Sequence, residues 1–403
     1  MSETRLPLPG KFLFVAGINL TVRKLNSPAQ RLPYALAPYL EQMDLVGYIN
    51  FYGGPPTSTP NKLQKGVRNL LFDRVGVTQE DNIRRMVARR LPLPRSLDVK
   101  MQSRWIFQAL KGRLARTYDV VIIAHAENAP LAKMLKNSGI AQHLIYNDWD
   151  YYPGYVEPKY RDLVADYEQL HVNLADGVAS VSRPLQELRT QQGAKRTIVI
   201  PNAVEFEKFN RAYQNRKPHP PTLIYCGSVD ARWGIDLAIR ALPSLRHHVS
   251  DARVMVVGSG PAENELQALA KELGVSEHVV FTGAVPYEQL PDMMAEADIG
   301  LATSRQDEFR KYASPMKITE YMAAGLPVIA SGGGEAEQMI DESRGGVHIA
   351  YDTEALIQAA LPLLQNRTQF ETMQQAALDY AHSRTWDEMG KRLALFMAEI
   401  LRK

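Results

Sequence analysis

Residues 314–331, SPMKITEYMAAGLPVIAS, predict the fold of the second half of this 403-residue chain. Ile318, Tyr321 and Met322 lie at i, i+3 and i+4, which is the spacing of one apolar helix face. Gly325 suits the position just after a helix, where a left-handed residue commonly ends it. The apolar run that follows predicts a strand, so the stretch indicates one helix–strand unit of an α/β sheet.

The start of this predicted helix has the features of an anion site. Pro315 fits a first helical turn, because its missing N–H would have no partner there. Free backbone N–H groups at a helix N-terminus favour the anionic end of a ligand. Lys317 adds a cation that the helix dipole alone would not favour, and Glu320 stands one turn on, where it can accept bonds from paired hydroxyls. A phosphate at the N-terminus and a ribose beside Glu320 together describe a nucleotide site.

Length and composition restrict the class of protein. A chain of 403 residues allows two to three domains. Its 45% hydrophobic and 23% charged residues are typical of soluble globular proteins. The single cysteine, Cys226, excludes an internal disulfide and any multi-cysteine metal site. No apolar run approaches 18 residues, so we expect no transmembrane helix.

Apolar strand-like runs alternate with helical patterns along the whole chain. This alternation favours parallel sheets covered by helices, and we expect two Rossmann-like domains. We expect a helix over 30–42, and the predicted strands are 11–16, 45–52, 119–124, 144–146, 177–181, 197–200, 223–226, 253–257, 279–281 and 299–302.

Several polar residues follow the predicted strands of the first half. In open α/β sheets ligands bind beyond the carboxyl ends of the strands. Gly17 follows the first strand, where a glycine lets the backbone approach a ligand closely. His125, Asp148 and Asp150 also follow strands and are candidates for a catalytic base, the two aspartates facing one side of an extended segment. The alternatives are an ordinary loop histidine and a polar loop over the sheet edge.

The stretch 314–331 resembles the donor-site signature of family 4 (group 1) glycosyltransferases of the GT-B fold. The resemblance implies an α/β fold of two Rossmann-like domains facing a central cleft. An acceptor-binding domain is expected at 1–200, with a final helix at about 385–403 packed back on it, and a donor-binding domain at 201–384. The proline-rich stretch 211–221 is interpreted as an interdomain linker. The residues that carry the resemblance are Lys317, Glu320, Tyr321, Gly325, Pro327 and Val328.

The same resemblance implies the residues of the donor site. Glu320 is expected to bind the donor ribose, and Lys317 with nearby backbone amides to hold the diphosphate. The donor is a substrate, and we expect no cofactor and no metal. Further residues expected at the donor site are Gly17, Gly227, Ser228, Arg232, Gly283, Val285, Arg310 and Met316.

The chain departs from the family pattern at three positions of the donor site. Ser228 and Trp233 stand where the family often carries an arginine and a lysine, although Arg232 lies one residue before Trp233. Tyr312 stands where the family often carries a glutamate, eight residues before Glu320. Three charged residues of the same loop are candidates to substitute: Asp307, Glu308 and Arg310.

Positive charge is concentrated in one segment. Residues 62–116 hold 14 Lys or Arg and 4 Asp or Glu, a net charge of +10, whereas the whole chain carries +3. Arg84, Arg85 and Arg89 are interpreted as one face of an amphipathic helix, which would bind an anionic membrane surface. The alternative is a solvated helix packed on its apolar side. We expect no nucleic acid partner, because no nucleic-acid-binding motif accompanies the charge.

Together these patterns predict a glycosyltransferase. We expect it to move a sugar from a nucleoside diphosphate sugar to a saccharide or lipid-linked acceptor, in cell-surface polysaccharide or glycolipid synthesis. The alternatives are a sugar-nucleotide epimerase of the GT-B fold and a non-catalytic sugar- or membrane-binding protein. The expected location is the cytoplasm, with peripheral association at the inner face of the membrane.

Overall fold

The computed structural model describes residues 6–18, 20, 27–50, 75–90 and 95–402. The chain forms two compact units, one of Met1–Pro201 with Asp387–Lys403 and one of Asn202–Trp386. The interpretation of 211–221 as an interdomain linker is wrong, because the stretch lies inside the second unit. Its first residues end the helix Phe206–Gln214, and the Pro221 carbonyl accepts a hydrogen bond from the Arg253 N–H at 2.9 Å.

In the part of the first unit that the structure describes, eight strands form one sheet in the order β3-β4-β2-β1-β5-β6-β7-β8. Only the β3–β4 pair is antiparallel there. The strands are β1 Leu8–Val15, β2 Leu40–Asn50, β3 Val75–Glu80, β4 Ile83–Arg90, β5 Tyr118–Ala124, β6 Ala141–Asp148, β7 Gly177–Ser180 and β8 Thr197–Val199. The helices between them are α1 Pro28–Leu36, α2 Arg95–Lys111, α3 Ala129–Asn137, α4 Arg161–Leu174 and α5 Arg183–Gln191.

Two predictions for the first unit are wrong. The helix expected over 30–42 ends at Leu36, because Pro38 has no N–H with which to continue it, and β2 already begins at Leu40. The segment of Arg84, Arg85 and Arg89 is strand β4 and not a helix. It pairs with β2 on one side and β3 on the other, so the three arginines do not form a helical face.

In the second unit, six described strands form a parallel sheet in the order β11-β10-β9-β12-β13-β14. The strands are β9 Thr222–Cys226, β10 Arg253–Val257, β11 Val279–Gly283, β12 Ile299–Ala302, β13 Val328–Ser331 and β14 Gly346–Ile349. The helices are α6 Phe206–Gln214, α7 Ile235–His248, α8 Glu263–Glu272, α9 Leu290–Met294, α10 Glu308–Tyr312, α11 Met316–Ala323, α12 Glu335–Ser343, α13 Thr353–Gln365 and α14 Arg367–His382.

The direction of strand order reverses once in each sheet, between β1 and β5 in the first and between β9 and β12 in the second. Parallel α/β sheets bind ligands at this point, beyond the carboxyl ends of the strands. The loops after these four strands are therefore where each unit is expected to hold a ligand.

The final helix, α15 Trp386–Leu401, packs on the first unit. Tyr39 donates its hydroxyl hydrogen to Asp387 at 2.8 Å. A Cβ on Gly390 would lie 2.1 Å from the carbonyl oxygen of Ala35, so helix α15 approaches α1 closely there. Among the helices that the structure describes, none has the length and apolarity needed to cross a membrane.

Candidate functional site

Helix α11 has the start and end that its sequence predicts. Pro315 precedes its first turn, and the backbone before it is held by Asn202, which donates its side-chain amide to the Ser314 carbonyl at 2.7 Å. At the other end Gly325 has φ +71°, and its N–H donates to the Met322 carbonyl at 3.0 Å. The Leu326 N–H donates to the Tyr321 carbonyl at 2.9 Å, which completes a Schellman motif.

Two glycine turns lie beside the start of α11. Gly227 follows β9 with φ +143°, and a Cβ there would lie 3.5 Å from Lys317 Nζ. A Cβ on Gly258, after β10, would lie 1.8 Å from the Gly227 carbonyl oxygen. Only glycine permits this approach of two backbones, which brings the Gly227 turn next to Lys317.

Lys317 is the cation in the first turn of α11. Its ammonium lies 4.2 Å from the ring centroid of Tyr225 and 4.6 Å from that of Trp233. Burial lowers the pKa of Lys317 to about 8, and the charge of Arg310 acts in the same direction. The charge of Glu320 opposes the shift. The lysine is therefore still mostly a cation at neutral pH.

Glu320 lies one turn further along α11 and is only 7% exposed. Its Oε1 accepts a hydrogen bond from the Tyr287 hydroxyl at 2.6 Å. Gly283 and Val285, two further residues expected at the donor site, lie just before Tyr287 in the chain. The Tyr287–Glu320 hydrogen bond therefore connects the segment after β11 to α11. Sequence analysis missed Tyr287, because nothing in its own segment marks it as a partner of α11.

The two arginines predicted near the diphosphate differ in their surroundings. Arg232 is 63% exposed and lies 2.8 Å from Asp230. Arg310 is 9% exposed, forms an ion pair with Asp307, and its guanidinium lies 4.6 Å from the Trp233 ring centroid. Arg310 is therefore the better-held cation of the two.

Two other residues predicted at the donor site, Ser228 and Met316, accept hydrogen bonds through their backbone carbonyls. The Ser228 carbonyl accepts the Tyr225 hydroxyl hydrogen at 2.7 Å, which fixes the ring under Lys317. Met316 begins α11, and its carbonyl accepts from Thr319 Oγ1 at 2.9 Å.

In the first unit, the loops after β1 and β5 meet where the strand order reverses. Gly17 has φ +71°, and a Cβ on it would lie 2.7 Å from the His125 ring and 2.8 Å from Asn128 Nδ2. Gly17 therefore lies in the unit expected to bind the acceptor, beside the predicted histidine.

His125 is held by two aromatic residues. Its backbone has φ +66°, its Nδ1 lies 2.5 Å from the Tyr152 hydroxyl, and its ring meets Trp149 edge to face at 5.1 Å. Burial lowers the pKa of His125 to about 4, so the ring is neutral at pH 7. Its Nε2 is buried and has no hydrogen-bond partner among the described residues. Sequence analysis missed Tyr152.

Asp148 and Asp150 lie in different environments, contrary to the expectation that both face one side. Asp148 is fully buried, and Arg189 donates to both of its oxygens, at 2.7 and 3.2 Å. Arg189 also binds Glu168 at 2.8 Å. Asp148 was a candidate base, but both of its oxygens accept hydrogen bonds from Arg189, so its role in the structure is that of a buried ion-pair partner.

Asp150 keeps the properties expected of a base. It is half-buried, and the loss of water around it raises its pKa to about 7, with a further contribution from the Asp148 charge. Among the described residues, no group of three or more His, Cys, Asp or Glu could hold a metal ion. The expectation that no metal is required remains a prediction.

Comparison with known proteins identifies the class. Residues 220–366 match the family described as "Glycosyl transferases group 1". The GDP-mannose-dependent alpha-(1-6)-phosphatidylinositol monomannoside mannosyltransferase of Mycolicibacterium smegmatis is 35% identical over 178 residues, 43% of this chain and 47% of that protein. The D-inositol 3-phosphate glycosyltransferase 1 of Catenulispora acidiphila is 24% identical over 388 residues, 91% of this chain and 83% of that protein.

A solved structure, sucrose-phosphate synthase from Thermosynechococcus elongatus, superposes with a TM-score of 0.73 at 18% identity, covering 98% of this chain and 99% of that one. Two parallel-sheet units of this kind define the GT-B fold, as predicted. The match to the group 1 glycosyltransferases covers residues 220–366, which lie in the second unit, and it agrees with the resemblance that the sequence indicated there. The matched region spans about half the length of the mannosyltransferase.

Proposed function

We propose that this protein is a glycosyltransferase that moves a sugar from a nucleoside diphosphate sugar to a saccharide or lipid-linked acceptor. The observation that carries the proposal is the juxtaposition of Lys317 and Glu320 at the start of α11, where the strand order of the second sheet reverses. A cation beside free helix N–H groups suits a diphosphate, and a buried carboxylate suits the ribose hydroxyls.

The donor residues act mainly on the leaving group. As the bond to the sugar breaks, negative charge grows on the diphosphate, and fixed positive groups stabilise it. Lys317, Arg310 and the first N–H groups of α11 supply that charge without a metal ion. Relatives named for their use of GDP-mannose support GDP-mannose as the first donor to test.

The acceptor is proposed to bind the first unit beyond the ends of β1, β5 and β6. Asp150 is the proposed base, because a pKa near 7 suits a group that takes a proton at neutral pH. His125 is the second candidate, since its neutral ring has an unoccupied Nε2. The names of relatives that act on phosphatidylinositol mannosides and inositol phosphate support an inositol-containing or glycolipid acceptor, as used in cell-surface polymer and glycolipid synthesis.

Peripheral association with an anionic membrane in the cytoplasm is part of the proposal. Helix α2 has exposed cations, whereas Arg84 and Arg85 of β4 are paired with Asp44 and Glu80. Residues 62–74 and 91–94 of the segment 62–116 lie outside the described residues. Liposomes containing anionic lipid should bind the protein and release it at high salt. Three exposed positions of α2 carry cations, and their substitution by glutamate should abolish liposome binding: Lys100, Arg104 and Lys111.

Product analysis tests the function. The protein is incubated with GDP-mannose and UDP-glucose, each with inositol phosphate or phosphatidylinositol-type glycolipids, and the products are identified by mass spectrometry. We expect the acceptor to gain one sugar and the nucleoside diphosphate to be released, both requiring Glu320. An epimerised donor without sugar transfer would indicate an epimerase, and bound nucleotide with no product would indicate a non-catalytic binding protein.

A further inference from the structure

Trp233 lies in the loop after β9, and its backbone is firmly held. Its N–H donates to the Asp230 carbonyl at 3.0 Å. Thr303, only 1% exposed at the end of β12, donates to the Trp233 carbonyl at 3.2 Å. Gly234 follows with φ +63°, and a Cβ on it would lie 3.0 Å from the Thr303 hydroxyl oxygen. The indole is therefore carried by a backbone fixed to the central strands of the sheet.

Two cations contact this one indole. The Lys317 ammonium and the Arg310 guanidinium carbon each lie 4.6 Å from the Trp233 ring centroid, within the range of cation–π attraction. Lys317 has a second ring beneath it, that of Tyr225, at 4.2 Å. Aromatic rings hold cations in place without neutralising them. The arrangement therefore places two positive groups at one indole.

The Arg310 guanidinium has one N–H group that no described residue accepts. Its guanidinium forms an ion pair with Asp307, and one of its terminal nitrogens donates to the Arg305 carbonyl at 3.3 Å. Its Nε is buried and has no hydrogen-bond partner among the described residues. Buried donors are almost always satisfied in native proteins. An oxygen of a bound phosphate would satisfy this one.

Arg232, which the sequence predicts at the donor site, is paired with Asp230. Its Nε and Nη2 donate to the two Asp230 oxygens at 2.8 and 3.2 Å, and its side chain is 63% exposed. An exposed and paired charge has little effect on a nearby anion.

We propose that Trp233 is a positioning residue, whose indole holds Lys317 and Arg310 in place so that these two cations, and not Arg232, bind the diphosphate of the donor. This inference rests on the proposed function, because it needs a nucleoside diphosphate in the site. Trp233 stands where the family often carries a lysine. At this position the chain has an aromatic support, and the second cation, Arg310, comes from α10.

The test is calorimetric titration of the full-length protein with GDP and with GMP. Trp233→Leu should weaken GDP binding by about tenfold, which lies between the values for an exposed and a desolvated cation–π contact, while Trp233→Phe keeps a ring and should stay within about threefold of wild type. GMP lacks the second phosphate, so its affinity should change much less. A merely structural role would weaken GDP and GMP alike. Arg240→Gln removes an exposed arginine of the same unit and serves as the control.

A double-mutant cycle separates positioning from independent contacts. If Trp233 acts through Lys317 and Arg310, Trp233→Leu should cost less GDP affinity in the Arg310→Gln protein than in the wild type, because only the effect through Lys317 remains. Fully additive losses, or a larger loss in Arg232→Gln than in Arg310→Gln, would overturn the inference. If Trp233→Leu fails to fold, Trp233→Phe takes its place in the cycle, and a larger loss in Arg232→Gln than in Arg310→Gln still overturns the inference.

Failure of this inference differs from failure of the proposed function. A wild-type protein that binds none of GDP, UDP and ADP refutes both. GDP binding that Glu320→Gln weakens and Trp233→Leu leaves unchanged refutes only the role of Trp233.

Discussion

Glu320→Gln is the substitution that bears most directly on the donor site. The change keeps the size of the side chain and removes its charge. The Glu320 carboxylate is 7% exposed, so little water competes with its hydrogen bonds, and one oxygen already accepts from the Tyr287 hydroxyl at 2.6 Å. Hydrogen bonds to a charged group contribute about 1.5–3 kcal/mol each. Weakening those to two ribose hydroxyls should therefore cost about 2–4 kcal/mol, or about 30- to 1,000-fold in GDP affinity.

Isothermal titration calorimetry with GDP measures this loss. Glu354→Gln is the matched control, because Glu354 is an exposed carboxylate of the same unit. Tyr287→Phe should lose less, about fivefold, since it removes one support of the carboxylate and not the carboxylate itself. A folded Glu320→Gln protein with the GDP affinity of the wild type would refute the assignment of Glu320 to the ribose.

Two further predictions concern charge. The Lys317 ammonium, with a pKa of about 8, favours a bound diphosphate only while it is protonated. GDP affinity should therefore be full at pH 7 and about tenfold lower at pH 9, whereas the Lys317→Arg protein should bind GDP equally at both. A wild-type GDP affinity that does not change with pH would contradict the prediction. Asp148→Ala should destabilise the protein by about 3 kcal/mol in urea denaturation, because it breaks a buried ion pair with Arg189. Asp166→Ala, at an exposed position, should not. If the Asp148→Ala protein has normal stability but no activity, Asp148 is again a candidate for the catalytic base.

Local patterns predicted helix α11 well. In α11 the spacing of Ile318, Tyr321 and Met322 places all three side chains in the core, each 0% exposed. Gly325 ends the helix with the positive φ that its position indicates. Both features depend on residues within one or two turns, so the sequence contains all the information that they need.

Features that depend on distant residues were not predicted. Residues 83–90 hold apolar side chains at spacings that suit a helix as well as a strand, and pairing with β2 and β3 decides between them. Asp148 looks like a free carboxylate until Arg189, 41 residues away, is seen beside it. The stretch 211–221 has the composition of a linker, yet its first residues belong to α6, whose Phe209 is fully buried in the core of the second unit.

The central claim is that the second unit binds a nucleoside diphosphate. It is tested most directly by thermal unfolding of the protein with GDP, UDP or ADP, each compared with its nucleoside. A ligand at 100 times its Kd stabilises the folded state by about 2.7 kcal/mol, which for a unit of this size raises Tm by roughly 5–10 °C. We predict such a rise with at least one diphosphate, a much smaller one with its nucleoside, and its loss in the Glu320→Gln protein. An unchanged Tm with every diphosphate at millimolar concentration would contradict the account.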